Sequence, residues 1–173
     1  MPKVDLERCT QTHRATLDAL FQLYTHDFSE QWAGTARGEL QDDGRFEPYP
    51  WLGSYWTEPA REAFLIRADG ALAGFVMLND HSHAGLPLDH AVAEFFVVRK
   101  HRRSGVGNAA ARAAIRTRPG LWELAVARKN AGALLFWRGV ANDLASGPLE
   151  ELDEVDGWDG AILRFRVSCA VWP

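Results

Sequence analysis

Residues 91–108, A-V-A-E-F-F-V-V-R-K-H-R-R-S-G-V-G-N, constrain the fold of this chain more than any other stretch. Phe95, Phe96, Val97 and Val98 make a short run of aromatic and β-branched residues, the composition of a buried strand. A basic turn follows, Arg99-Lys100-His101-Arg102-Arg103. Then come Ser104-Gly105-Val106-Gly107-Asn108 and an alanine-rich segment that reads as a helix over 105–117. A strand that passes through a glycine-containing turn into a helix makes an anion site. The first N–H groups of the helix have no intrahelical acceptor, and the helix dipole favours negative charge there. Gly105 and Gly107 let main chain approach a phosphate with no Cβ in the way.

The remaining pattern places this unit in an alternating chain. Residues 3–9 read as a first strand. Thr10, Gln11 and Thr12 supply helix caps, and Leu17, Leu20, Phe21, Tyr24 and Phe28 recur at helical spacing over 13–28. Residues 29–60 are punctuated by glycine and proline, with a short helix expected over Glu30–Leu40. Residues 63–67 and 72–78 form a hairpin about Asp69-Gly70, and Gly74 marks a bulge or a close backbone approach. After 91–98 and the helix come a strand over 121–127, a helix over 130–140, and two strands within 149–168. Leu163, Phe165 and Val167 alternate with Arg164 and Arg166, the pattern of a strand with one wet face. The sum is a mixed sheet with helices on its faces.

A length of 173 residues suits a single domain over 1–173. The formal net charge of −4 argues against a general nucleic-acid binder, which needs a surplus of cations. The N-terminus lacks the apolar core of a signal peptide, and no run is long enough to cross a membrane, so a soluble cytoplasmic protein is expected. Cys9 and Cys169 make no disulfide framework and no zinc set; they read as two reduced, buried thiols.

The run Arg102-Arg103-Ser104-Gly105-Val106-Gly107, placed between strand and helix, resembles the R/Q-x-x-G-x-G/A signature of the GNAT superfamily of acyl-CoA-dependent N-acyltransferases. A second stretch, Asn130-Ala131-Gly132-Ala133-Leu134-Leu135-Phe136-Trp137, resembles the N-x-x-A-x-x-F-Y opening of a later helix in that superfamily. The resemblance implies an α/β (α+β) fold, a mixed and mostly antiparallel twisted sheet of about seven strands with helices on both faces. It implies acetyl-CoA as co-substrate, no metal, and direct attack by a primary amine of a small molecule or a protein in a ternary complex. It also implies that main-chain N–H near Val97 and Val98 meets the thioester carbonyl. Arg102, Arg103, Ser104, Gly105, Val106, Gly107 and Asn108 would then cradle the pyrophosphate, with Asn130 and Phe136 lining the pantetheine arm. Asn130 reads independently as a helix cap. A homodimer fits the superfamily.

The chemistry needs a base and an acid. Glu94 sits inside an apolar strand, where a carboxylate is costly without a partner or a purpose, and burial would raise its pKa toward a useful value. The competing reading pairs it with an arginine such as Arg67 on the wetter side. Alternation leaves the face of Glu94 open. Trp137 stands where relatives carry an acid tyrosine, and an indole N–H is a donor only. A thiol with a pKa of about 8.5 leaves tolerably unaided near neutral pH. Trp32, Tyr49, Trp51 and Tyr55 are candidate walls of an acceptor pocket, and Tyr24, Tyr49 and Tyr55 candidate acids or substrate contacts. The bland reading is that these aromatics fill a small core under a long loop. His81, His83 and His90 read as solvated loop histidines; a zinc site from His81 and His83 with His90 or Asp89 is the alternative. Trp137 and the uncertain base keep open a second function, a non-catalytic acyl-CoA sensor or interaction module on the same fold.

Overall fold

A computed structural model describes residues 1–168. Its strands are β1 (Val4–Arg8), β2 (Glu62–Ala68), β3 (Ala71–Asn79), β4 (His90–Val97), β5 (Gly120–Ala127), β6 (Glu150–Leu152) and β7 (Gly160–Val167). Its α-helices are α1 (Arg14–Ser29), α2 (Val106–Arg116) and α3 (Ala131–Leu144). Among the described residues the strands form one sheet in the order β1-β2-β3-β4-β5-β7-β6, and β4–β5 is the parallel pair in an otherwise antiparallel set. No helix among them is long and apolar enough to cross a membrane. Cys9 is a half-buried free thiol, and Cys169 lies outside the described residues.

Strand alternation divides the core into two layers. Leu65, Phe75, Met77 and Phe96 face α1 and pack on Leu17, Leu20 and Phe21. Phe64, Val76, Leu78, Trp122, Leu124, Leu163 and Phe165 face the other way, against Ala111, Ala114, Ile115 of α2 and Val140, Ala141 of α3. The helix expected over Glu30–Leu40 shrinks to one 3₁₀ turn, Glu30–Trp32. Gly34 and Gly38 take positive φ, 79° and 75°, and end any right-handed continuation.

Two irregularities shape the middle of the sheet. Met77 pairs with Glu94 and Leu78 with Val92, so Ala93 is an extra residue in β4. Further along the same ladder, opposite Val97, Gly74 meets the expectation of a close approach: a Cβ there would lie 1.9 Å from the Phe96 carbonyl oxygen.

Arg164 departs from the expected wet face. It is 5% exposed and sits directly opposite Glu123, itself 1% exposed. Glu123 accepts from Arg164 Nη1, from Ser82 Oγ at 2.7 Å and from the His83 main-chain N–H at 2.7 Å, while Arg164 Nη2 donates to the Pro87 carbonyl at 2.7 Å. The loop between β3 and β4 folds over this pair and removes it from water, which period-two alternation cannot reveal.

Gly74→Ala should lower the unfolding free energy by about 1–3 kcal/mol, because β3 must move off β4 to admit the methyl. Glu123→Ala should cost more, roughly 3–5 kcal/mol, since it strands a buried guanidinium. Urea denaturation followed by tryptophan fluorescence measures both.

Candidate active site

The β4–β5 ladder holds three pairs, His90–Trp122, Ala91–Glu123 and Val92–Leu124. Beyond them the two strands continue without pairing to each other, and a gap opens in the sheet. Val98 N–H bonds to the Ala73 carbonyl, so by the alternation of an antiparallel ladder Val97 and Phe95 direct their main-chain groups away from β3, toward that gap. Lys129 Nζ, on the loop after β5, donates to the Gln31 carbonyl at 3.1 Å and ties the far rim of the gap to the segment after α1.

At the end of β4 the chain makes a 3₁₀ turn, Arg99–His101, and then two left-handed residues, Arg103 (φ 59°) and Gly105 (φ 89°), before α2 begins. Non-glycine residues rarely take positive φ. Here it turns six consecutive main-chain N–H groups, 103–108, away from any acceptor among the described residues. Such a row at a helix N-terminus fits a pyrophosphate. A Cβ at Gly107 would already touch Val97 Cγ2 at 3.7 Å and the Phe136 ring at 3.8 Å, so the row borders the gap closely. Phe136 stacks on Phe95 at 5.8 Å. Ser104 turns its hydroxyl back onto the His101 carbonyl, Val106 is fully buried, and Asn108 is exposed. Asn130 caps α3, its side chain accepting from Ala133 N–H at 3.3 Å. The Arg102 side chain donates to the Val97 carbonyl at 2.6 Å and pairs with Asp27 of α1.

Glu94 pairs with Met77 and alternates with Phe95, which puts it on the α1 face, and the extra residue Ala93 shifts the parity of the strand before it. Ala93, Phe96 and Val98 all pack on the α1 layer, and Glu94 joins them, while Val92 and Phe95 face the opposite layer. The Tyr24 hydroxyl donates to Glu94 Oε2 at 2.5 Å. Arg67 pairs with Glu7 at 2.8 Å, so it is no partner for Glu94. Burial pushes the Glu94 carboxyl up to about 6; the Tyr24 and Tyr49 hydroxyls and the charge of Arg37 pull the other way. Burial, reinforced by the Glu94 charge, holds the Tyr24 hydroxyl well above its ordinary pKa, so it stays a donor.

Around this carboxylate the aromatics divide. Tyr49 stacks on Phe21 at 4.4 Å, Tyr24 lies against Phe28 at 4.6 Å and edge-on to Phe96 at 5.9 Å, and Phe28 reaches Trp32 at 5.9 Å. The Arg37 guanidinium covers the Trp32 ring at 4.2 Å. Tyr55 is 6% exposed, and its hydroxyl has no hydrogen-bond partner among the described residues. Trp51 stands apart, 56% exposed, beside Arg61 on the surface, so it is not brought to Glu94. Trp137 is 8% exposed and packs edge-on to Phe95 at 5.1 Å within the α3 layer. His83 is an exposed loop residue whose ring lies 4.3 Å from that of Trp158, and among the described residues no group of three His, Cys, Asp or Glu side chains is placed to hold a metal. Asp27 and the Phe28 and Phe96 rings are site neighbours that composition and motif did not single out. The helical stripe Phe21-Tyr24-Phe28 carried the signal, since it points one helix face at the strand that bears Glu94.

Comparison with known proteins agrees with this geometry. The family model described as Acetyltransferase (GNAT) family matches residues 17–140. No curated protein sequence matches the chain. An acetyltransferase from Thermus thermophilus superposes with a TM-score of 0.64 at 18% identity, covering 96% of this chain and 99% of that one. A GNAT-family acetyltransferase from Staphylococcus aureus gives 0.58 at 12% identity, covering 95% and 99%. A chimera of the Vibrio cholerae spermidine N-acetyltransferase SpeG with hSSAT gives 0.56 at 13% identity, covering 97% and 96%. At these identities the structural neighbours establish the fold, a seven-stranded mixed sheet, and the family model covers well over half of the chain. The chain belongs to the GNAT acetyltransferase family.

Proposed function

We propose that this protein transfers an acetyl group from acetyl-CoA to a primary amine by direct attack in a ternary complex. The observation that carries the reading is the placement of Glu94. The carboxylate lies on the α1 side of β4, three residues before Val97, whose main-chain groups face the gap. The row of free N–H groups over 103–108 suits the donor's pyrophosphate, with the exposed Lys100 and Arg103 adding charge, and Phe95 and Phe136 suit its apolar arm. The Val97 N–H suits the thioester oxygen.

In this reading the amine nitrogen attacks the thioester carbonyl carbon. The nitrogen becomes far more acidic as its C–N bond forms, and Glu94 takes the proton it loses. The C–S bond then breaks and the sulfur leaves with its electron pair. Trp137 supplies no proton, and a thiolate leaving group of pKa about 8.5 needs none near neutral pH. The aromatic faces of Tyr24, Phe28, Trp32 and Tyr49 suit the apolar or cationic body of an acceptor. The acyl-CoA sensor is the second reading, favoured by the burial of Trp137 against Phe95.

Calorimetry should show CoA binding to the purified protein, and Gly107→Val, which drives a side chain into Val97 and Phe136, should weaken it at least about tenfold. With a panel of primary amines, thiol release should follow an acid limb near pH 6 that vanishes in Glu94→Gln, with a rate loss on the order of 10²–10⁴-fold. Binding without turnover across the panel would favour the sensor. The linkage runs the opposite way for stability. A carboxyl raised above its unfolded value helps the fold below about pH 4.5, and that help is lost as pH rises through about 6. Glu94→Gln should therefore melt higher than the parent at pH 7.5, by on the order of 1–2 kcal/mol, and show little advantage at pH 4.

A further inference from the structure

Asp27 lies one turn beyond Tyr24 on α1, with its side chain 16% exposed. Its Oδ1 accepts from Arg99 Nε at 3.0 Å and faces Arg99 Nη2 at 2.9 Å; its Oδ2 accepts from Arg102 Nη2. The same Arg102 guanidinium donates through Nε to the Val97 carbonyl and covers the Phe96 ring at 5.4 Å. One carboxylate therefore holds both arginines that flank the turn between β4 and α2. Arg102 occupies the basic position of the phosphate motif, yet its Nε and Nη2 are engaged with the last peptide of β4 and with Asp27 of α1. Between these anchors and α2 the chain contains Arg103 at φ 59°, a conformation that surrounding contacts must maintain.

Resting on the acetyltransferase reading, we propose that Asp27 is a positioning residue for acetyl-CoA. Through Arg99 and Arg102 it holds the turn 99–105 and the Val97 peptide, so that the N–H row of 103–108 and the Val97 N–H keep the arrangement the donor requires. Arg102 then acts on the main chain and not on the phosphates. Without the carboxylate, two neighbouring guanidinium groups repel each other, and the fork that fixes the Val97 carbonyl loses its second anchor.

The opposite assignment, in which Arg102 meets the phosphates and Asp27 competes for it, predicts the opposite sign, and that makes the test sharp. CoA binding is measured by calorimetry for the parent, Asp27→Asn and Arg102→Lys. Positioning predicts that Asp27→Asn weakens CoA by roughly tenfold, the scale of one charge-assisted hydrogen bond. Arg102→Lys should weaken it similarly, because a single ammonium cannot serve the Val97 carbonyl and Asp27 with the planar geometry of the fork. With any amine that turns over, KM for acetyl-CoA should rise in step. The rate at saturating acetyl-CoA should fall with it, because the Val97 N–H that meets the thioester oxygen is displaced, while KM for the amine and the acid limb near pH 6 stay in place, a split that general loosening of the fold would not produce. Tighter or unchanged CoA binding by Asp27→Asn overturns the proposal and leaves the acetyltransferase reading standing. A parent protein that binds no CoA overturns both. If Asp27→Asn fails to fold, Arg102→Lys, which keeps a cation beside Asp27, carries the test: parent-like affinity there overturns the proposal.

Discussion

The parallel ladder between β4 and β5 lasts three residue pairs and then stops. Main-chain groups inside a folded protein must find partners, and a strand that leaves its neighbour exposes a column of donors and acceptors. In this molecule the column borders a gap that is apolar along Phe95 and Phe136 and rich in free N–H at its α2 end. An unpaired sheet edge is ordinarily a liability. Here β3 and β7 secure the two strands on their outer sides, each with a long antiparallel ladder, so the gap stays open without the sheet coming apart.

The same strand carries the carboxylate. Glu94 lies opposite Met77 on the α1 face, in step with Phe96, and the extra residue Ala93 lets Val92 turn to the other layer. On the α1 face Glu94 meets Tyr24 and the aromatic stripe of the helix. A carboxylate half-buried among rings titrates high, here at about 6. The energetic counterpart is that an ionised Glu94 destabilises the fold at neutral pH.

Helix α1 thus holds β4 at two places, Tyr24 on Glu94 and Asp27 through Arg102 on Val97. These contacts couple the α1 face of the sheet to the turn that leads into α2. The buried Glu123–Arg164 pair is a separate device at the other end of β5, where it fastens the β3–β4 loop across the sheet. Neither arrangement announces itself locally. Asp27 and Arg102 are separated by 75 positions, and Glu123 and Arg164 by 41, so their meeting depends on the sheet order.

Local composition and periodicity were enough to determine the element order, the strand–turn–helix unit of 91–116 and the cap at Asn130, because each rests on interactions within a few residues. The glycine at 74 was legible for the same reason: an intolerable Cβ leaves its mark at a single position. The two motifs, read together, indicated the family. What tertiary structure alone decided was orientation and burial. Whether Glu94 faces α1, whether Arg164 is wet, whether Arg102 meets a phosphate motif or a carboxylate on α1, and which of Tyr49, Tyr55 and Trp51 approaches the carboxylate all depend on partners far away in the chain. A bulge shifts side-chain parity by one, and a loop folded over a strand turns a wet face dry. Neither event has a signature in the residues it affects, since both are set by the register and coverage that the rest of the sheet imposes.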